Sequence, residues 1–313
     1  MKRIPICYYV FINFGKGDFI LKNKALLSLV ASMLIFGTVG ILRKYIPLSS
    51  GLIAFSRGII GFIFLWVMLL IKKEPFSFKK LGKKAAVLFV SGAAMGLNWV
   101  LLFEAYNHTT VATATLCYYM APVFVIIASP FIFGEKLGLK KVFCVLCAVL
   151  GMFFVSGVFE SSFGGAAELK GVIFGISAAV LYAAVVILNK KTAEGPSFEK
   201  TLVQLGSAAI TILPYILLTE DFSEIEAKPL SLALLITAGI VHTGIAYALY
   251  FGSIGKLPAQ TTAIFSYIDP VSAIFLSAVF LDEKLSFYGI TGAVLILGSA
   301  FLNEFKPNKK AEF

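Results

Sequence analysis

Charge is scarce in this chain. Of 313 residues only 14% are Asp, Glu, Lys or Arg, roughly half the share of a soluble domain, so the surface needed to stay dissolved is lacking. Histidine occurs twice, tryptophan twice and cysteine four times. No GxxxxGK[ST] stretch occurs, which removes the support for ATP binding by a P-loop, and HExxH, GxSxG and carboxylate-rich metal clusters are missing too. The expectation is a protein without enzymatic activity, metal or cofactor. Cys144 and Cys147 form a CxxC, a spacing that in a cytosolic loop points to redox chemistry or zinc. Both thiols fall inside an apolar run, where small core residues are the plainer reading.

What the chain does have is apolar length. Residues of the hydrophobic set make up 59%, and a bilayer core of about 30 Å needs about 20 helical residues. Apolar runs of sufficient length fall at roughly 25–46, 50–71, 85–107, 110–133, 142–159, 171–188, 201–219, 231–253, 258–281 and 287–303. None alternates with period two, so a barrel with a polar lumen is excluded. The fold class expected is an all-α integral membrane protein with ten transmembrane helices.

Lysine and arginine set the orientation, because they gather on the cytoplasmic side of short loops. With the N-terminus inside, residues 1–24, 72–84, 134–141, 189–200, Lys256 and 304–313 carry 5, 6, 3, 3, 1 and 3 such residues, a total of 21. The opposite loops carry Arg43, Lys44, Lys170, Lys228 and Lys284, and Arg57 within a span completes the 27. Both termini are therefore expected in the cytoplasm. The net charge of +10 then reports topology, and nucleic acid is not an expected partner. The stretch Ile4–Phe14 is too short to cross and has no small-residue cleavage site, so it does not read as a signal peptide.

Two segments 148 residues apart repeat one another. Thr113, Tyr119, Pro122, Val123, Ser129, Glu135, Lys136 and Leu137 match Thr261, Tyr267, Pro270, Val271, Ser277, Glu283, Lys284 and Leu285 without a gap. The period is too long for a solenoid and fits a duplicated membrane unit. Five spans per half is an odd number, so the second half enters from the opposite side, which gives two inverted five-helix repeats. The organisation expected is a cytoplasmic segment 1–24, repeats at 25–159 and 171–304, and a cytoplasmic tail from 305. Inverted halves have two pseudo-equivalent packings, the physical basis for a site that opens alternately to each side.

Function must come from polar groups at membrane depth, each costing a few kcal/mol or more unless it faces protein or water. Arg57 lies about seven residues, or roughly 10 Å, into the second span, and could either grip a substrate carboxylate or clamp a facing helix, with Glu104 within reach as a partner. Asp269 precedes Pro270, and its counterpart in the first half is Ala121, so the repeat architecture does not demand a carboxylate there. It is a candidate for substrate binding and for proton coupling, against a plain role accepting backbone hydrogen bonds near the proline. His242 titrates near neutrality and could carry a proton, or sit as a satisfied core histidine. Glu104, a further proton-coupling candidate, lies four residues before His108 on one helix face, the spacing of an interfacial pair.

Asn98, Trp99, Tyr118, Tyr119, Tyr247 and Tyr267 are candidates for a polar and aromatic lining, against ordinary interfacial and packing roles. Pro122 and Pro270 are candidate hinges: each frees a carbonyl one turn earlier, producing a plain kink or a true break that lines a cavity. Glu135 and Glu283 recur in both halves, and that symmetry favours a loop or packing role. Gly92 with Gly96 and Gly171 with Gly175 have the spacing of close helix seams.

The paired proline-containing spans, each followed by Gly-Glu-Lys-Leu at 134–137 or Asp-Glu-Lys-Leu at 282–285, together with Phe55-Ser-Arg57, resemble the EamA-like branch of the drug/metabolite transporter superfamily. The resemblance covers about residues 25–304 and implies ten spans as five plus five, a multi-pass plasma-membrane location and secondary transport. The function expected is export of small metabolites such as amino acids or related amphipathic compounds, by alternating access, with a small-molecule substrate and the lipid bilayer as partners and a monomer or homodimer as the assembly. An intramembrane lipid-modifying enzyme is the alternative, but the acids are scattered. A channel would need rings of like charge or a repeated filter loop.

Overall fold

The computed structural model describes residues 23–39, 42, 45–73, 76, 81–109, 114, 117–155, 166–193, 197–220, 228–280 and 287–304. The N-terminal segment up to residue 22, the tail from 305, Arg43, Lys44, Thr113, and Glu283 with its Asp-Glu-Lys-Leu stretch lie outside the described residues. Those described form helices and the turns between them. In chain order the helices are α1 Asn23–Gly37, α2 Ser50–Ile71, α3 Lys84–His108, α4 Ala121–Phe133, α5 Leu139–Val155, α6 Ala166–Lys191 and α7 Ser197–Thr219. They continue with α8 Pro229–Ile254, α9a Ala259–Phe265, α9b Ile268–Phe280 and α10 Phe287–Glu304.

Segments within α2, α3, α6, α7 and α8 are long and apolar enough to cross a bilayer. Helix α1 is shorter than the apolar run that predicts it, and the fourth and ninth runs are interrupted. Turns at Tyr119–Met120 and Ser266–Tyr267 end one helical piece and start another. The reason is proline placement. Pro122 occupies the first turn of α4 and Pro270 the first turn of α9b, positions where the missing amide has no intrahelical partner to lose. The prolines therefore begin new helices instead of bending continuous ones.

The duplication is visible in the helix bounds. Adding 148 to α2, α4 and α5 gives 198–219, 269–281 and 287–303, against the observed 197–219, 268–280 and 287–304. Moreover α2 packs on α7 and α5 on α10, so these pairs of corresponding helices face one another across a shared axis, while α4 packs on α9a, the piece that precedes its own counterpart α9b. Glycines allow the approach. A Cβ at Gly96 of α3 would sit 2.8 Å from the Ala208 carbonyl oxygen of α7, and one at Gly151 of α5 would sit 2.8 Å from the Gly292 carbonyl oxygen of α10. The outer surface is apolar, with Phe131, Leu139 and Leu218 at 87%, 91% and 86% exposure, a face that suits lipid and that water would penalise.

One irregularity positions a candidate residue. Residues Ala238–Ile245 of α8 form a π-helical segment that carries His242, a distortion frequent at functional sites. The Thr243 hydroxyl donates to the Ala238 carbonyl at 3.0 Å within it. Gly239 and Gly244 lie against Ile60 and Phe64 of α2.

Candidate functional site

Arg57, two turns into α2, lays its guanidinium over the Trp99 ring of α3, with Cζ 4.6 Å from the ring centroid. Trp99 in turn meets Tyr247 of α8, ring centroids 6.0 Å apart, and both Arg57 and the Trp99 indole lie within hydrogen-bonding reach of the Tyr247 hydroxyl. Trp99 and Tyr247 are themselves 148 residues apart, so the two halves contribute equivalent positions to one aromatic floor. Trp99 and Tyr247 are buried whereas Arg57 is half-buried. A guanidinium stacked on an indole face gains about 0.5–2 kcal/mol and keeps its in-plane donors for a carboxylate. Its Nε is buried without a hydrogen-bond partner among the described residues.

Asp269 lies in the first turn of α9b, immediately after the break at Ser266–Tyr267. It is half-buried, has the Tyr119 side chain within hydrogen-bonding reach, and its charge acts on Tyr247 and Tyr250. The carboxylate at a fresh helix start also interacts favourably with the helix dipole. Across the same break, the Tyr267 hydroxyl donates to the Tyr119 carbonyl at 3.0 Å, joining the two repeat-equivalent turns.

His242 is 3% exposed, and its Nε2 lies 2.6 Å from the Thr38 hydroxyl at the end of α1. Thr38 directs its own proton at the Ile35 carbonyl, 2.7 Å away, so Nε2 is the donor and Nδ1 is left as the proton-accepting nitrogen of the neutral ring. Nδ1 is buried with no hydrogen-bond partner among the described residues. The Arg57 charge reaches His242. Arg57, His242, Trp99, Tyr247 and Asp269 thus form one electrostatically connected group drawn from α2, α3, α8 and α9b.

A tyrosine stack continues from it. Tyr182 of α6 stacks between Tyr118 and Tyr250, with centroid distances of 5.6 and 6.4 Å, and its hydroxyl donates to that of Tyr250 at 3.0 Å. Phe36 of α1 packs on both Tyr247 and Tyr250. Sequence reasoning missed Tyr182, whose only signal is a lone hydroxyl in an otherwise aliphatic stretch of α6.

Three candidates stand apart. Asn98 is fully buried and donates to the Ala178 carbonyl of α6 at 2.6 Å, placing it on a helix seam. Tyr267 packs with Ala148, Met152, Val271 and Ile296, between α5, α9b and α10. Glu104 accepts from the Tyr215 hydroxyl at 2.6 Å and has His108 Nε2 at 3.9 Å, so Tyr215 and His108 hold the carboxylate in place of the Arg57 pairing expected. The reason is reach: Arg57 leans onto Trp99, five residues before Glu104 on α3.

At the lysine-rich end an open pocket of about 480 Å³ is lined by Glu135, Lys136, Lys141, Lys190, Gly255, Lys256, Leu257 and Pro258. It lies away from the aromatic floor. The cluster thus sets a cation on the continuous helix α2 against a carboxylate at the start of α9b. A family profile of EamA-like transporters matches residues 23–157 and again 169–305. The chain belongs to the EamA-like transporter family.

Several proteins are similar to this EamA-like transporter. An uncharacterized transporter of Bacillus subtilis strain 168, YxxF, is 28% identical over 290 residues, covering 93% of this chain and 92% of its own. An uncharacterized transporter of Archaeoglobus fulgidus is 25% identical over 277 residues, covering 88% and 94%. Protein RarD of Salmonella typhi is 27% identical over 245 residues, covering 76% and 79%. A solved crystal structure superposes with a TM-score of 0.78 over 90% of this chain and 96% of that one, at 20% identity, a likeness of fold. The protein is thus a multi-pass membrane transporter.

Proposed function

We propose that this transporter is a secondary exporter of small zwitterionic metabolites, amino acids and related amphipathic compounds, working by alternating access in the plasma membrane with both termini cytoplasmic. One observation carries the reading: Arg57 and Asp269, opposite charges from opposite halves, are both half-buried beside one aromatic floor of Trp99 and Tyr247. A guanidinium suits a substrate carboxylate and a carboxylate suits an ammonium. The floor offers area for an apolar side chain. Without a P-loop, the driving force is a gradient.

Asp269 carries the coupling proton in this reading, with His242 as its relay through the field of Arg57. The experiment is counterflow in proteoliposomes with a panel of labelled amino acids, nucleosides and organic cations, with and without a pH gradient. Uptake of at least one zwitterion, accelerated by the gradient, is expected. In Asp269→Asn the gradient should lose its effect while substrate exchange persists. No counterflow for any member of the panel refutes the substrate reading, and unchanged pH dependence in Asp269→Asn refutes its role as proton carrier.

A further inference from the structure

Glu135 does more than end a loop. Helix α4 stops at Gly134, which takes a left-handed conformation with φ 65°. The amide of Gly134 donates to Pro130, and that of Glu135 to the Ser129 carbonyl at 3.4 Å, a helix-terminating arrangement that fixes the direction in which Glu135 leaves. Its carboxylate then crosses to the other half of the molecule. Oε1 accepts from the Ala259 amide at 2.8 Å and Oε2 from the Gln260 amide at 3.3 Å. These are the first two amides of α9a, whose own cap residue, Pro258, supplies no side-chain bond.

Two further bonds strengthen the crossing. Lys190, at the end of α6, sits 3.4 Å from Glu135 Oε1, donates to the Leu257 carbonyl at 2.6 Å and lies over the Phe133 ring. One turn deeper, Gln260 Nε2 donates to the Ser129 hydroxyl at 2.7 Å, both residues fully buried. Together they bolt the end of α4 to the start of α9a, the piece that precedes α4's counterpart α9b. Every residue of α9a is buried. Between Ala259 and Asp269 the chain runs through α9a and the break at Ser266–Tyr267, so α9a connects the bolt at the lysine-rich end to the charged cluster. The pocket lined by Lys136, Lys141 and Lys256 brings solvent up to the carboxylate itself.

We infer that Glu135, held by Lys190, is a latch that keeps the lysine-rich end of the transport route closed and must let go of the α9a amides once in each cycle. The inference rests on the alternating-access reading above. The role is positional: Glu135 holds a helix start and touches no substrate in this conformation.

The test uses the full chain with its four native cysteines replaced by serine and Ala263→Cys as reporter, a position on α9a only 3% exposed. A membrane-impermeant methanethiosulfonate is applied to sealed vesicles of both orientations. Loss of an N-capping carboxylate shifts an equilibrium by a factor on the order of ten. Glu135→Ala is therefore expected to speed labelling about tenfold from the lysine-rich side alone, with Glu135→Gln intermediate and Lys190→Met in the same direction. Bridging Ser129→Cys to Gln260→Cys with a short bis-methanethiosulfonate, which forms a disulfide with each thiol and releases methanesulfinate, should cancel the effect of Glu135→Ala. Unchanged labelling in Glu135→Ala overturns the inference, and so does equal acceleration from both sides, which means general loosening. Failure of the counterflow experiment with the one-sided labelling intact counts against the substrate reading and leaves the latch standing.

Discussion

Gly96 gives the sharpest check on how the two halves are held together. It lies on α3 three residues before Trp99, and a Cβ there would meet the Ala208 carbonyl oxygen at 2.8 Å and the Ala208 Cα at 3.1 Å. Both obstacles are backbone, so no side chain can swing aside. Glycine to alanine in a helix interior gains at most about 1 kcal/mol of propensity, whereas overpacking costs about 1–3 kcal/mol. The clash wins, and Gly96→Ala should lose about 1–2 kcal/mol. Gly298 on α10 is the control, because a Cβ there meets nothing within 4 Å, so Gly298→Ala should be neutral or slightly stabilising. Titrating each variant with sodium dodecyl sulfate in mixed micelles, followed by tryptophan fluorescence, reads the difference directly. Since α3 must also back away from α7, Gly96→Ala should disturb the Arg57–Trp99 stack and reduce transport. If Gly96→Ala proves as stable as Gly298→Ala, the close seam between α3 and α7 is not as described and the placement of Trp99 falls with it.

Two further outcomes separate seam residues from lining residues. Asn98→Ala removes the donor to the Ala178 carbonyl and should cost about 1–2 kcal/mol of stability, an ordinary loss for a buried hydrogen bond, while leaving the counterflow KM unchanged; a raised KM at wild-type stability would put Asn98 in the substrate site. Tyr182→Phe keeps the ring stack and removes only the hydroxyl pair with Tyr250, costing about 0.5–1.5 kcal/mol, whereas Tyr182→Ala should also collapse the stack and raise KM. Equal kinetics for the two variants would remove the stack from the transport mechanism.

The repeat carries most of what the sequence reveals, because matched residues at a constant offset need no knowledge of packing. It fixes helix order, and the helix bounds follow it closely. The recurrence of Glu135 and Glu283 favours a loop or packing role, but it does not name the partner: Glu135 spans 124 positions to reach the Ala259 amide, which only folding brings near. The interruption beside Pro122 and Pro270 was legible as a disturbance. Whether a proline kinks a helix or starts one depends on the residues before it leaving helical geometry, which composition does not state. The π segment around His242 escapes periodicity analysis for a similar reason, since one extra residue in a turn hardly alters an apolar run. At the charged cluster, Arg57, Trp99 and Asp269 stood out because polar groups are rare at that depth. Asn98 and Tyr267 stood out equally and turn out to face helix seams, a distinction set by rotation about the helix axis.

The helices that face their own counterparts, α2 with α7 and α5 with α10, describe a body that would look the same if its halves were exchanged, and yet its charges do not obey that exchange. Arg57 stands opposite Leu205 in the numbering of the other half, and Asp269 opposite Ala121. A symmetric frame thus encloses an asymmetric field, positive from one lineage of residues and negative from the other. In the alternating-access cycle proposed above, rocking the frame between two postures would carry a dipolar molecule past the same pair of charges in reversed order, the scaffold treating both directions alike and the electrostatics alone telling them apart.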